Sequence, residues 1–474
     1  MSILKYGRFE ASYEREYQGN PFSIELNVEI VSPSNRTVCL WGFYDGGNTW
    51  RFRFMPEEVG VFKYCASFSD GVSAGCGEFT CVEGDIPGMV AADQTNPMWF
   101  GYSSGKHFFM RSFHVGDCFF AENWPEEYRK EFLDWAQKQG YNTLSIASFF
   151  VNREEYGRGA GWKTPALWPL NPEEYRKAEK ILDDLAERKI IVFPFAGFFG
   201  RDAAIPNSYR SQLAYIKYTL ARWGSYWNLI FNVAGPEPIL DHNPFMSHSQ
   251  VDMLGLLIQK YDIYHHMLTV HNQTGRDQYP NAEYLDYTTM QGPKTVSLTD
   301  LQNGLLGSHK KDKPMYAQET LWTDNMYGHP KYTDDELLRN AYVIAMSAAA
   351  LNYGDMNGDS SSGFSGRPEL ERRVQRRHDI VKVVWDNIER FPYYDMCPDK
   401  ELGMGIYGIA DKEHKKCLFF ASGIKDVELN IPDGAYTATI INARTNEEGR
   451  TTVCNRSLEL PDSGDWFVYV QAKE

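Results

Sequence analysis

Three textures of apolar and polar positions succeed one another along the chain. Up to about residue 86, short runs alternate with period two and show no helical period: residues 22–30 (FSIELNVEI), 37–43, 50–54 (WRFRF) and 61–68. Turn residues in SPSN, DGGN, MPEEVG and SDG divide them. Strand-length alternation between turns predicts a small antiparallel β-sandwich over residues 1–86. The same texture returns near Tyr393, with runs at 404–409, 417–420, 427–431, 436–441 and 466–470 and turns at PDG and SGD. It predicts a second sandwich over 393–474.

Between them, over residues 87–392, apolar strand-length runs alternate with helical periods. Strand candidates are 108–113, 143–149, 190–195, 229–234, 267–271, 287–291, 315–318 and 348–353. A helix is expected after nearly every one. PEEYRKEFLDWAQKQG has Pro125 in its first turn and Gly140 as its stop, and NPEEYRKAEKILDDLAERK has Asn171 as cap and Pro172 as first helical residue. Only the link from the fifth strand to the sixth is too short for a good helix. Eight strands alternating with helices predict an α/β fold, a (β/α)8 TIM barrel flanked by N-terminal and C-terminal antiparallel β-sandwich domains. An open doubly wound sheet that bound nucleotides would need a glycine-rich turn after its first strand, where the chain reads RSFHVGDC.

Composition narrows the chemistry. The 474 residues carry 48 Lys+Arg against 63 Asp+Glu, a formal net charge of −15, so a nucleic-acid partner is disfavoured. No run approaches a membrane span. The start, MSILKYGRFEASYE, lacks the basic and apolar regions of a leader and reads as cytoplasmic, with a secreted origin after leader removal left open. Eight cysteines include no C-x-x-C pair, and they are expected to be buried free thiols. No metal and no cofactor is expected. Aromatic residues reach 15%, as in clefts that present flat faces to a ligand.

In a TIM barrel the reactive groups lie at the carboxyl ends of the strands. The fourth strand, NLIFNVAG, ends at Pro236-Glu237-Pro238, and the seventh, PMYAQ, at Glu319. Glycoside hydrolysis needs two such carboxyl groups, one protonated to release the leaving oxygen and one ionised. The bland alternative for each glutamate is an ion pair with arginine or a helix cap. Asn232, His271, Asn272, Gln291, Trp322, Tyr353 and Asp355 fall at the same level and are candidate substrate-binding residues, although each could equally brace the barrel. The aromatic loops VNREEYGRGAGWKTPALW and AGFFGRD offer Trp162, Trp168, Phe198 and Phe199 as subsite walls beside Trp322. Asp355, Asn357 and Asp359 begin like a calcium loop, but Ser360 stands where the glycine belongs and Gly366 where the acid belongs. RRVQRR at 372–377 reads as a solvated helix face, and the adjacent His265 and His266 point apart.

The run NPFSIEL…WGFYDGGNTWRFRFMPEEVGVFKY resembles the N-terminal sandwich, a domain of unknown function, that precedes apiosidase-like glycoside hydrolases. ARWGSYWNLIFNVAG, HHMLTVHN, YTTMQG and KPMYAQE resemble that family's strand-end phrases, and its usual C-terminal companion is a small collagen-binding-like sandwich. The resemblance implies a retaining hydrolase acting by double displacement on a plant- or microbe-derived oligosaccharide or glycoside. It implies Glu237 as acid/base and Glu319 as nucleophile. The chain departs from the family at Pro236, where relatives carry Gly or Asn, so a contact to the sugar would have to come from Asn232 or Asn272. That departure keeps a second reading open, an inactive barrel that binds carbohydrate. The expected partner is a carbohydrate, with no nucleic acid and no membrane, and a homo-oligomer is left open.

Overall fold

The computed structural model describes residues 1–115, 119–146, 165–201, 204–323, 328–355 and 372–473. The first 82 residues build a five-stranded sheet, in spatial order Ser2–Leu4, Ser73–Val82, Gly60–Phe68, Leu26–Val31 and Thr37–Trp41. A three-stranded sheet of Phe9–Glu14, Thr49–Phe54 and Phe43–Tyr44 shares its core. Along Leu26–Val31 the period-two rule is plain: Leu26, Val28 and Ile30 are buried and Asn27 and Glu29 are exposed. The expected strand at 22–30 starts late, because Asn20 caps a 3-10 turn at Pro21–Ser23. Ser73–Val82 was not anticipated, since its glycines and exposed polar residues blur the alternation.

The expectation of free thiols is corrected here. Antiparallel register sets Cys65 opposite Cys76, and the two form a disulfide. Cys39, Cys397 and Cys454 are free but exposed, and only Cys81 and Cys417 are free and buried. Cys118 lies outside the described residues.

In the middle of the chain the strands are parallel. They are β1 (Ser112–Val115), β2 (Thr143–Ile146), β3 (Ile191–Pro194), β4 (Phe231–Asn232), β5 (Leu268–Thr269), β6 (Thr288–Met290), β7 (Met315–Thr323) and β8 (Ala349–Asp355). Six form one parallel sheet in the order β3-β2-β1-β8-β7-β6, while β4 and β5 pair separately. Single parallel bridges, Val192 to Leu229 and His271 to Thr289, join that pair to the sheet on either side. The arrangement is TIM-barrel-like. Helices follow the strands as expected: α1 (Glu126–Lys138), α2 (Pro172–Glu187), α3 (Tyr209–Trp223), α4 (His248–Tyr261), α5 (Leu298–Ser308), α6 (Asp334–Met346) and α7 (Arg372–Glu389). Asn171 accepts from the Glu173 N–H, and α3, α4 and α6 open with capping boxes at Ser208, Ser247 and Thr333. On α2 the buried Tyr175, Ala178, Ile181, Leu182 and Leu185 fall on one face at helical spacing.

The N-terminal sheets meet the barrel through buried charge. Glu179 of α2 accepts from Arg222 of α3 (Nε–Oε1 2.6 Å, Nη2–Oε2 2.8 Å) and pairs with Arg53 at 3.0 Å. Asp45 in turn holds Arg222, Arg176 and Arg51. The C-terminal residues meet the barrel through rings. Their six-stranded sheet runs Cys397–Pro398, Ile406–Ala410, Lys416–Ser422, Asp465–Ala472, Tyr436–Asn442 and Glu448–Val453, and a pair of strands, Asp426–Glu428 and Ser457–Glu459, is separate from it. On Lys416–Ser422, Leu418 and Phe420 join the barrel core, while Cys417, Phe419 and Ala421 enter a second core with Val427 and Leu458. Tyr342 of α6 stacks on Phe420 at 4.8 Å and Phe467 at 5.1 Å. A strand covered on both faces reads as a continuous apolar run rather than an alternating one.

Candidate active site

Side chains from alternate strands form a layer near the carboxyl ends, as barrel geometry requires. His114 of β1, Phe195 just past β3, His271 past β5 and Trp322 of β7 touch in turn. Ring centroids lie 5.1 Å apart for His114–Phe195, 4.7 Å for Phe195–His271 and 4.3 Å for His114–Trp322. Beneath it, Tyr316 packs on Phe193, its hydroxyl lies 2.6 Å from Ser112 Oγ, and Ser112 donates to Asn352 Oδ1 at 2.9 Å. The polar residues of the site stand on this floor.

Glu237 follows Ala234–Gly235, a short strand paired in parallel with Phe199–Gly200. Only glycine fits at 235, since a Cβ there would come within 2.4 Å of the Phe195 carbonyl oxygen. Glu237 itself sits at φ +36°, a conformation that non-glycine residues seldom adopt and that neighbours must hold. They do so from two sides. Its N–H donates to His271 Nδ1 at 3.3 Å, and Arg201 donates to the carbonyls of Glu237 (2.6 Å) and Pro236 (3.3 Å). The half-buried carboxylate then accepts from Gln291 Nε2 at 2.5 Å.

Glu319 lies where the β7–β8 register shifts between Ala317 and Leu321, an irregularity of the kind that re-aims a side chain at a barrel rim. Its carbonyl accepts from the Gly292 N–H at 3.1 Å, and its carboxyl is buried, with Oε1 3.8 Å from His271 Nε2. Burial first, and then the charge of Glu237, push its pKa up to about 8 against the opposing pull of Lys294 and a hydrogen bond from Gln291. The ring of His271 stands between the two glutamates, with Nδ1 bonded to the Glu237 N–H and Nε2 3.8 Å from Glu319 Oε1.

The tautomer of His271 follows from its partners. A backbone N–H can only donate, so Nδ1 is bare, and Nε2 carries the proton and donates to Gln318 Oε1 at 3.1 Å. Burial lowers the His271 pKa despite the nearby Glu237, which keeps the ring neutral. Gln318 passes the chain on to Ser145 Oγ at 2.9 Å, which also meets His114 Nδ1 at 3.2 Å.

Of the residues expected at the site, Glu237, Glu319, His271 and Gln291 come together. Others are braces. Asn272 donates to the Thr289 carbonyl at 3.0 Å and accepts from the Gln278 N–H at 3.0 Å, so its amide is engaged at both ends. Asn232 is fully buried and donates to the Phe195 carbonyl at 2.7 Å. Neither amide is presented to a sugar, which corrects the expectation that they replace the contact absent at Pro236. Tyr353 is buried and donates to Asp355, which is fixed by Arg377 through contacts of 2.6 and 2.8 Å. Phe198 and Phe199 are buried as well, and Trp168 packs on Tyr215, so these rings fill loop cores rather than wall a cleft. Trp322 belongs to the layer but is only 1% exposed. Trp162, Asn357, Asp359, Ser360 and Gly366 lie outside the described residues. Lys294, Gln318, Thr274 (whose hydroxyl donates to Gln291 Oε1), Arg201 and His329 were not anticipated. A signal existed for two of them: Gln318 directly precedes Glu319, and Lys294 follows the end of β6 in QGPK. Among the described residues no group of three or more His, Cys, Asp or Glu could hold a metal ion, and no helix is long and apolar enough to cross a membrane.

A family model described as a domain of unknown function (DUF5060) matches residues 2–69. No curated protein matches the chain. Among solved structures, a protein of Bacteroides vulgatus ATCC 8482 described as a "putative glycoside hydrolase" superposes with a TM-score of 0.80 over 100% of both chains at 18% identity. A glycoside hydrolase family 5 protein of the same organism superposes with a TM-score of 0.63 at 15% identity, covering 82% of this chain and 95% of that one. A further structure described as a glycoside hydrolase gives a TM-score of 0.63 at 13% identity over 82% of this chain and 99% of that one. At such identities the likeness carries the fold.

Proposed function

We infer that the chain is a retaining glycoside hydrolase, in which Glu319 attacks the anomeric carbon while Glu237 protonates the departing oxygen and then activates water. The observation that carries the reading is a pair of glutamates on either side of the His271 ring at the end of a barrel-like sheet, one bonded to it through its N–H and the other 3.8 Å from Nε2. Double displacement needs the two carboxyl groups ~5–5.5 Å apart, against ~6.5–9.5 Å for inversion. The shared fold of structures described as glycoside hydrolases supports it.

In the unliganded fold burial, and then the charge of Glu237, favour a proton on Glu319, whereas attack requires Glu319 ionised. Gln291 donates to Glu237, and neutral His271 keeps the Glu237 backbone in place throughout. In this reading residues 1–86, 87–392 and 393–474 are two sandwiches around a closed (β/α)8 barrel. The substrate is a short plant- or microbe-derived oligosaccharide or glycoside, cut from its end. Turnover of an aryl-glycoside panel, followed by proton NMR of the first anomer released, tests this directly. Release of the inverted anomer would exclude Glu319 as nucleophile, and no cleavage of any glycoside would remove the reading.

A further inference from the structure

Beyond the two glutamates, Trp322 near the end of β7 and His329 beyond that strand have ring nitrogens that no protein group meets. Trp322 Nε1 and both ring nitrogens of His329 are closed to water and have no hydrogen-bond partner. His329 is 7% exposed, and its ring stacks on Trp322 at 5.9 Å with planes 19° apart. A buried donor or acceptor left unmet costs about 1–3 kcal/mol, so rings kept only for packing would be better served by phenylalanine.

Their place in the fold ties them to the site. Trp322 lies three residues beyond Glu319 on the same strand and touches His114 in the layer that His271 completes. The charge of Lys294 bears on Glu319, His271 and His329 alike. Trp322 has no free face for stacking a sugar. His114 and His329 lie against it, and the backbone of Gly354 comes so close that a Cβ there would stand 2.6 Å from Cδ1. What remains is its N–H.

We propose that the stacked rings of Trp322 and His329 form a hydroxyl-reading subsite beside the two glutamates, which selects a neutral sugar by bonding one of its hydroxyl groups. The proposal rests on the hydrolase reading and adds the substrate class to it. A neutral imidazole has one donor and one acceptor, and the indole adds a donor. A hydroxyl both donates and accepts, so it can meet an N–H and the bare imidazole nitrogen together, whereas a carboxylate, which only accepts, would leave that nitrogen unmet. Burial, and then Lys294, push the His329 pKa down to about 3, so the ring keeps this neutral pattern across the working pH range.

The test is calorimetric titration of Glu319→Gln, a variant that holds substrate without turning it over, with neutral aryl glycosides and their monodeoxy analogues. The titration is repeated with His329→Phe added. His329→Phe keeps the stacked ring and removes two unmet nitrogens, so it should melt at the same temperature or higher. It should weaken binding of one glycoside by at least about tenfold and leave the analogue lacking one particular hydroxyl unaffected. Trp322→Phe should act on the same hydroxyl, which keeps the proposal falsifiable if one variant folds badly. Equal effects on every analogue, or none on any, would overturn the subsite while turnover by the unaltered enzyme leaves the hydrolase reading standing. If Glu319→Gln binds no glycoside and the unaltered enzyme cleaves none, both fall together.

Discussion

Glu179 and Glu319 are each 5% exposed, one where helices α2 and α3 meet the N-terminal sheet and the other at the mouth of the barrel. Burial pushes both carboxyl groups towards the protonated form, and their neighbours then divide them. Around Glu179 the guanidinium groups of Arg53 and Arg222 outweigh burial and hold it below the usual carboxylate range. Beside Glu319 stands a second glutamate, and burial and like charge together raise it to about 8. The ion cluster has a structural arrangement, with each charge countered within hydrogen-bond distance. The mouth keeps two acids near one another, with the neutral ring of His271 between them. Folding alone gives no reason to retain such a pair, whereas acid–base chemistry requires groups whose titrations are pushed apart. The same residue type under equal cover thus separates a docking joint from the proposed reaction centre.

The largest break in this comparison comes from Glu319→Gln. It should reduce kcat by about 10³-fold or more while leaving the fold intact, as measured by steady-state turnover and circular dichroism. Its stability should move the other way. The folded state holds the Glu319 proton more tightly than the unfolded chain, so unfolding sheds a proton between the unfolded pKa, near 4.3, and about 8. The carboxylate therefore costs the folded state more as pH rises through that window. Glu319→Gln should melt above the unaltered protein by a margin that widens from pH 5 to pH 8 and is flat beyond.

Glu179→Gln is expected to give the opposite result. It removes the buried charge that Arg53 and Arg222 share and leaves them only Glu10 and Asp45, which should lower stability by up to about 3–5 kcal/mol in urea titration at pH 7. Because the folded pKa of Glu179 is depressed, its contribution is present above the unfolded pKa and lost as pH falls through the folded value. The gap between variant and unaltered protein should therefore close in acid, while turnover per folded molecule at neutral pH is unchanged.

How much of this contrast the sequence carried depends on whether a residue's partners are near in the chain. Asn171 could be read as a cap because a cap meets the next turn of its own helix, and the alternation of strands with helices follows the same local logic. Glu237 and Glu319 were legible because strand ends in such a fold converge on one mouth. The division of the amides was not. Asn272 and Gln291 look alike in sequence, yet Asn272 binds backbone on two neighbouring segments and Gln291 faces the acids. The cluster around Glu179 was invisible for a related reason. Its arginines come from Arg53 and Arg222, far away in the chain, and within α2 alone Glu179 reads as one more solvated acid.

Gln291→Leu sharpens the comparison more gently. Without the amide, Glu237 loses its donor and the lowering influence of Gln291 on the Glu319 pKa is gone, so Glu319 should hold its proton to still higher pH. The limb of the kcat/KM profile that depends on ionised Glu319 should move to higher pH by about one unit, with little change in melting temperature, because the amide and one acid lose each other together. A merely structural Gln291 would lower stability and leave the profile where it is.

The smallest effect is the control on burial itself. Lys180 and Glu126 bridge α2 and α1 at 2.7 Å with both side chains more than 70% exposed. Glu126 has a depressed pKa from this contact, as Glu179 has from its arginines, so a pKa shift alone would place the two acids together. Water and salt screen the exposed pair, however, and its long side chains give up freedom to meet. Lys180→Ala should leave the melting temperature within the error of the measurement at moderate ionic strength. A clear loss of stability there would mean that pairing, rather than burial with pairing, distinguishes the docking joint from the mouth.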